Sequence, residues 1–174
     1  MWEIAGMILN KKIYFIIGSI STGKSAVVNI LKQKGYYTIE ADDIVYCLYE
    51  NKEVQKKLVK HFGIEIIKNE KVDRKTLGDI IFNDEIKKEL LENITHPLVM
   101  NEIFKKINNS TENIVFIELP LYYKVEKIIQ ENIPKYKIIL IRVNRETQIK
   151  RLMMRNKISR EKALNLLYNI RGIE

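Results

Sequence analysis

The sequence contains one cysteine, Cys47, among 174 residues, which excludes an internal disulfide framework and a thiolate cluster for zinc. A lone Cys with apolar flanks reads as a small core side chain. Proline (3) and glycine (7) are scarce too, so no stretch has the composition of a linker, a repeat or a low-complexity tract. Long hydrophobic runs are missing. The longest, 13–17 and 138–141, fall well below the ~18 residues that span a bilayer. The basic pair Lys11-Lys12 follows the first apolar residues instead of preceding them, the reverse of a signal peptide. These features predict a cytoplasmic protein with no membrane partner. Only two histidines occur, neither at metal-ligand spacing; His61, on a Lys-rich helical stretch, reads as an ordinary surface residue.

What is present suits one compact α/β domain. Hydrophobic residues make up 46% and charged residues 30%, the balance of a chain that folds around a core. The 30 basic residues outnumber the 22 acidic ones, giving +8. Lysine exceeds arginine 23 to 7 and is scattered beside 30 isoleucines, which reads as compositional bias and not as a nucleic-acid stripe. A modest positive field still favours a polyphosphate ligand.

Along the chain, 13–17 is a continuous β-branched and aromatic run, the pattern of a central parallel strand buried on both faces. Residues 25–34 read as a helix with Ala26, Val27, Ile30 and Leu31 on its inner face and Gly35 past its end. A second strand, 36–39, completes a strand–loop–helix–strand unit. Helical periodicity fills 42–62, and Asp73 and Asp84 read as caps of two more helices. Strands at 114–119 and 137–143 flank a helix near 125–131, and helices at 146–155 and 159–169 follow, the second capped by Ser159. The alternation predicts a three-layer α/β fold on a parallel sheet: core 11–41 and 112–145, helical insertion 42–111, and 146–174 as a lid.

The chemistry centres on Gly18-Ser19-Ile20-Ser21-Thr22-Gly23-Lys24-Ser25, which matches G-x-x-x-x-G-K-[ST] at every fixed position. The glycines permit a tight loop whose N–H groups converge on phosphate oxygens, and the loop feeds the positive end of a helix. Lys24 would reach the β- and γ-phosphates of a nucleoside triphosphate, and the Ser25 hydroxyl would ligate Mg²⁺. Glu40-Ala41-Asp42-Asp43 follows the second strand, which predicts carboxylates at the end of a strand neighbouring the phosphate loop. One of them could orient and deprotonate an acceptor hydroxyl or hold Mg²⁺ through water, while the plainer role is a helix N-cap by Asp42 or Asp43. His96-Pro97 reads as a helix start, with His96 a structural residue more readily than a catalyst. Five of the seven arginines, Arg142, Arg145, Arg151, Arg155 and Arg160, lie within nineteen positions. Arg151 and Arg155, four apart, share a helix face suited to closing over a triphosphate.

In this order the motifs resemble the dephospho-CoA kinase family over about 13–167. The phosphate loop, Ile39-Glu40-Ala41-Asp42, Asp73-Arg74-Lys75-Thr76-Leu77 with Ile81-Phe82, His96-Pro97-Leu98, Leu119-Pro120-Leu121, and Glu146-Thr147-Gln148-Ile149-Lys150-Arg151 followed by Arg155 are similar to family segments. The resemblance implies a P-loop NTPase fold and ATP-dependent phosphorylation of the ribose 3′-hydroxyl of dephospho-CoA, with Asp42 as base and Lys24 and Arg151 on the phosphates. It also implies acceptor contacts by Asp42, His96 and Pro120 and a nucleotide contact by Arg155. Glu40, Tyr46 and Lys124 depart from the family pattern, which has Asp, Arg and an acidic residue there. The pattern also continues past position 174 into a further strand and helix, so the edge of the 137–143 strand is expected to be exposed. The alternatives are another small P-loop kinase and a nucleotide-binding protein without turnover. Its partners are expected to be small molecules, with no nucleic acid, and its state a monomer or weak homo-oligomer.

Overall fold

The structure, a computed structural model, describes residues 10–82 and 84–169. The described residues divide into two compact units: 10–39 with 110–169, and 40–109.

The first unit is built on a four-stranded sheet in the order β2-β5-β1-β6. Its strands are β1 (Lys12–Ile17), β2 (Tyr37–Glu40), β5 (Ile114–Glu118) and β6 (Lys137–Leu140). β1 is central and runs parallel to both β5 and β6, pairing Ile16 with Glu118 and Ile17 with Leu140. Ile13, Phe15, Ile16, Ile17, Val115 and Ile117 are all buried, which is why these strands are almost wholly apolar. β6 forms an edge of the sheet among the described residues. Ile138 and Leu140 on it are 45% and 40% exposed, as expected for that strand.

The sheet order corrects one expectation. β5 lies between β1 and β2, so the strand before Asp42 neighbours β5 and not the strand that feeds the phosphate loop. Strand adjacency is set by long-range pairing, which the sequence order β1, helix, β2 does not reveal.

Helix α1 (Lys24–Gln33) buries Lys24 and Val28. Ala26 and Ile30, assigned to its inner face, are exposed; the buried stripe is rotated because the loop fixes where the helix starts. Gly35, at φ +80°, closes the helix as expected, in the left-handed region that a C-terminal glycine serves. Helices α6 (Tyr122–Asn132), α7 (Arg145–Asn156) and α8 (Arg160–Asn169) follow. The last two pack around Ile149, Leu152, Ala163 and Leu167, with Ile20 of the phosphate loop against them. Asn144 caps α7 through the Thr147 N–H, and the Ser159 hydroxyl accepts from the Lys162 N–H at the start of α8.

The second unit holds α2 (Ala41–Glu50), α3 (Lys52–Phe62), a short 3-10 turn (Ile64–Ile66), α4 (Arg74–Ile81) and α5 (Glu85–Asn109) around Tyr49, Leu58, Phe62, Ile66, Leu77 and Leu91. The continuous helical pattern of 42–62 breaks at Asn51, whose side chain accepts from the Glu53 and Val54 N–H groups and starts a new helix. Asp73 and Asp84 cap as expected, accepting from Thr76 N–H and Lys87 N–H. A hairpin of β3 (Ile67–Lys68) and β4 (Lys71–Val72) was not foreseen. Its turn, Asn69-Glu70, has φ +48° and +63°, a type I′-like geometry usually marked by glycine at the second position.

Two further expectations fail here. Pro97 sits inside the 25-residue helix α5 instead of at its start. Burial of Leu91, Thr95, Val99 and Met100 on either side carries the helix through the missing N–H, and Thr95 Oγ1 donates to the Leu91 carbonyl. Cys47 is exposed, because the buried stripe of α2 runs through Ala41, Ile44 and Tyr49. No helix among the described residues is long and apolar enough to cross a membrane.

Candidate active site

β1 ends at Ile17 and the chain turns at once into Gly18. Gly18 has φ +153°, and a Cβ there would stand 2.5 Å from the Ile141 carbonyl oxygen, so only glycine fits. Gly23, at φ +106° and ψ 19°, is the residue from which α1 starts. It lies beneath a guanidinium: a Cβ on Gly23 would meet Arg151 Nη1 at 3.3 Å. Gly18 is therefore demanded by conformation and by contact, and Gly23 by its conformation.

Between them the loop is held by its own side chains. Lys24, buried despite its charge, donates from Nζ to the carbonyls of Gly18 at 2.9 Å and Ser19 at 3.0 Å. The Thr22 hydroxyl donates to the Ser19 carbonyl at 2.9 Å. Ser21 adopts φ +59°, and its buried Oγ has no hydrogen-bond partner. An ammonium folded into a loop at a helix N-terminus, beside an orphaned hydroxyl, is a receptacle for phosphate oxygens. The Ser25 side chain lies in the first turn of α1 and is exposed.

Two residues of α7 complete the loop from outside. Gln148 Nε2 donates to the Ile20 carbonyl at 2.6 Å, and Arg151 Nη1 donates to the carbonyls of Ser21 at 3.4 Å and Thr22 at 3.0 Å.

A family model described as dephospho-CoA kinase matches residues 13–169. The chain belongs to the dephospho-CoA kinase family. It is thus a kinase of coenzyme A biosynthesis, a transferase that phosphorylates dephospho-CoA with ATP. The dephospho-CoA kinase of Helicobacter pylori is 33% identical over 87% of this chain and 76% of its own length. That of Listeria monocytogenes serotype 4b is 35% identical over 91% and 80%. Among solved structures, TT1252 from Thermus thermophilus superposes with a TM-score of 0.75 at 28% identity, covering 92% of this chain and 80% of that one. The dephospho-CoA kinase from Campylobacter jejuni superposes with 0.58 at 32% identity, covering 91% and 79%.

Other candidate residues of the kinase fall in varied places. Asp42 and Asp43 are not caps: Glu40 occupies the cap position, and both aspartates sit exposed in the first turn of α2, where the helix dipole favours their charge. His96 is half-buried within α5. Pro120 is exposed in the turn after β5, closed by the Tyr122 N–H on the Leu119 carbonyl. Arg155 is exposed, its Nε donating to Asn156 Oδ1. Arg160 pairs with Glu146 through two hydrogen bonds, which hold the Glu146 carboxyl below its ordinary pKa. Behind the sheet, Tyr122 stacks obliquely on Phe15 and shares a hydrogen bond with Tyr136; burial pushes its phenol above the ordinary value.

Sequence reasoning passed over Glu118. It is a buried carboxylate at the end of β5, in register with Ile16 of the strand that enters the loop. An acidic residue closing the apolar run Ile114-Val115-Phe116-Ile117 was its signal in the sequence.

Proposed function

We propose that the kinase transfers the γ-phosphoryl group of ATP to the ribose 3′-hydroxyl of dephospho-CoA, with Lys24 and Arg151 on the phosphates and Asp42 as the base. Loop residues Gly18, Ser19, Ile20, Ser21, Thr22, Gly23, Lys24 and Ser25 cradle the triphosphate, and Arg155 extends the cationic face of α7 toward the nucleotide. The observation that carries this reading is the buried Lys24 ammonium bonded to the Gly18 and Ser19 carbonyls, poised at a helix N-terminus. Its charge offsets the charge that spreads over the phosphoryl oxygens in the transition state.

Asp42 takes the proton from the attacking hydroxyl; its carboxylate stands exposed in the first turn of α2. His96 and Pro120 contribute to gripping the acceptor, within the helical region 42–111 and at the end of β5. The region 146–174 acts as the lid. Mg²⁺ would be held by the Ser25 hydroxyl and the phosphates themselves, with the buried Glu118 carboxylate as a further candidate ligand. Among the described residues no group of three or more His, Cys, Asp or Glu forms a ready cage, and Mg²⁺ is held by few protein ligands in such enzymes. When bound, Mg²⁺ would supply positive charge that offsets the charge of the phosphates.

The test is ADP release from ATP and Mg²⁺ with and without dephospho-CoA, with coenzyme A identified by mass. Coenzyme A formed in step with ADP supports the reading. Acceptor-independent ADP release, or turnover only with adenosine or nucleoside monophosphates, replaces it with another small-molecule kinase. ATP binding with no product of any kind leaves a nucleotide-binding protein without turnover.

A further inference from the structure

We propose that Gln148 is a positioning residue of the phosphate loop: from helix α7 it holds the Ile20 carbonyl, and so sets the direction in which the loop's N–H groups point. The inference rests on the reading of 18–25 as the triphosphate site.

In a trans peptide the carbonyl of one residue and the N–H of the next point in opposite directions, and no peptide bond among the described residues is cis. Fixing the carbonyls of Ile20, Ser21 and Thr22 therefore aims the N–H groups of Ser21, Thr22 and Gly23 the other way. All three carbonyls are fixed from α7, Ile20 by Gln148 and the other two by Arg151. The two ties differ in quality. Arg151 is exposed, and its bonds are 3.0 and 3.4 Å. Gln148 is only 7% exposed and its bond is 2.6 Å, joining positions 128 residues apart.

The Ile20 side chain is also packed against the α7–α8 core, so this residue is clamped at both its side chain and its carbonyl. Directly after it comes Ser21 in the left-handed region, a conformation that a serine holds only when its surroundings impose it. The acceptor is a carbonyl, so only the NH₂ end of the Gln148 amide satisfies it. A side chain of equal shape without that donor fills the space but releases the loop.

Gln148→Met is that side chain. ATP is titrated calorimetrically onto the full chain, beside Gln55→Met as a control for loss of a buried glutamine elsewhere. The expected result is a Kd for ATP raised about tenfold in Gln148→Met and within about twofold of wild type in Gln55→Met, with the KM for dephospho-CoA unchanged in both. A lowered melting temperature with unchanged ATP affinity in Gln148→Met makes the residue merely structural and overturns the proposal.

If Gln148→Met does not fold, Gln148→Glu decides. Its introduced carboxyl donates to the Ile20 carbonyl when protonated and repels it when ionised, and burial raises the pH at which the change occurs. ATP affinity relative to wild type should recover as pH falls from about 8 to about 5. A flat ratio overturns the proposal. Protein that binds ATP normally but makes no coenzyme A refutes the proposed reaction and leaves the role of Gln148 readable from the titrations.

Discussion

Each unit of the kinase buries a glutamine that donates to backbone carbonyls, and the two perform different work. Gln55, in the helical unit, donates to the Tyr49 and Glu70 carbonyls at 2.9 and 2.8 Å, tying the end of α2 to the turn of the β3–β4 hairpin. Both acceptors belong to fixed scaffold. Gln148 donates to a carbonyl of a loop whose opposite side is built for an anion. The same bond therefore supports folding in one unit and orients a ligand site in the other. More generally, both units start helices with polar caps, Asn51, Asp73 and Asp84 in the helical one and Asn144 and Ser159 in the other, but the sheet unit also gathers the buried polar groups Lys24, Thr22 and Gln148 around the phosphate loop. Burying a polar group is costly unless it is paired, so their gathering at one loop marks where function overrides packing.

The sharpest test of that contrast is a group of the helical unit that is assigned a functional role. Asp42 belongs to the helical unit yet is assigned chemistry. Asp42→Asn should lower kcat on the order of 10²–10⁴-fold while ATP affinity and melting temperature hold, because the amide cannot accept the proton. Near-normal kcat would return Asp42 to a purely structural role. In the sheet unit, Lys24→Ala should lower kcat on the order of 10²–10³-fold and weaken ATP binding; an unchanged rate would mean that chemistry happens elsewhere. Gln55→Met leaves the buried Tyr49 carbonyl without its donor and removes one of the two donors to the Glu70 carbonyl, and should destabilise the fold by about 1–2 kcal/mol, read by denaturant unfolding, with both KM values unchanged. A rise in the KM for ATP in that variant would erase the distinction between the two glutamines.

Asn51→Ala removes the acceptor of two N–H groups at the start of α3 and should cost about 1 kcal/mol with no kinetic effect. The smallest effect is on acid stability. The Thr76 backbone N–H holds Asp73 below its ordinary value of 3.8, and Arg160 holds Glu146 below 4.5. Folded-state values below the unfolded ones mean that the contribution is full above about pH 5 and is lost as pH falls through the folded values. Melting scans between about pH 5 and about pH 2 should therefore fall less steeply for Asp73→Asn than for wild type.

The elements legible beforehand share a physical character. The phosphate loop, the buried run of β1 and the caps at Asp73, Asp84 and Ser159 are each specified within a few residues, by conformational freedom, by hydrogen bonds to the next turn or by continuous apolarity. The misread ones depend on partners far along the chain. Residue spacing alone assigned Ala26 and Ile30 to the inner face of α1, but the sheet decides which face is inner. The exposure of Cys47 and the passage of α5 through Pro97 depend on which stripe each helix buries. Asn69-Glu70 lacks the glycine that announces a tight hairpin, and its pairing is closed by Ile67 and Val72 across the turn.

At the site the division is the same. From sequence alone came the loop, its two glycines, Lys24 and the candidate base, because a phosphate-binding turn is a local object encoded in eight consecutive residues. Only the tertiary structure decided that β5 separates β1 from β2, that Glu118 closes the neighbouring strand, and that Gln148 and Arg151 reach back more than a hundred residues to hold the loop's carbonyls. Strand order and cross-chain hydrogen bonds depend on which surfaces meet when the chain collapses, and no short stretch of residues carries that information.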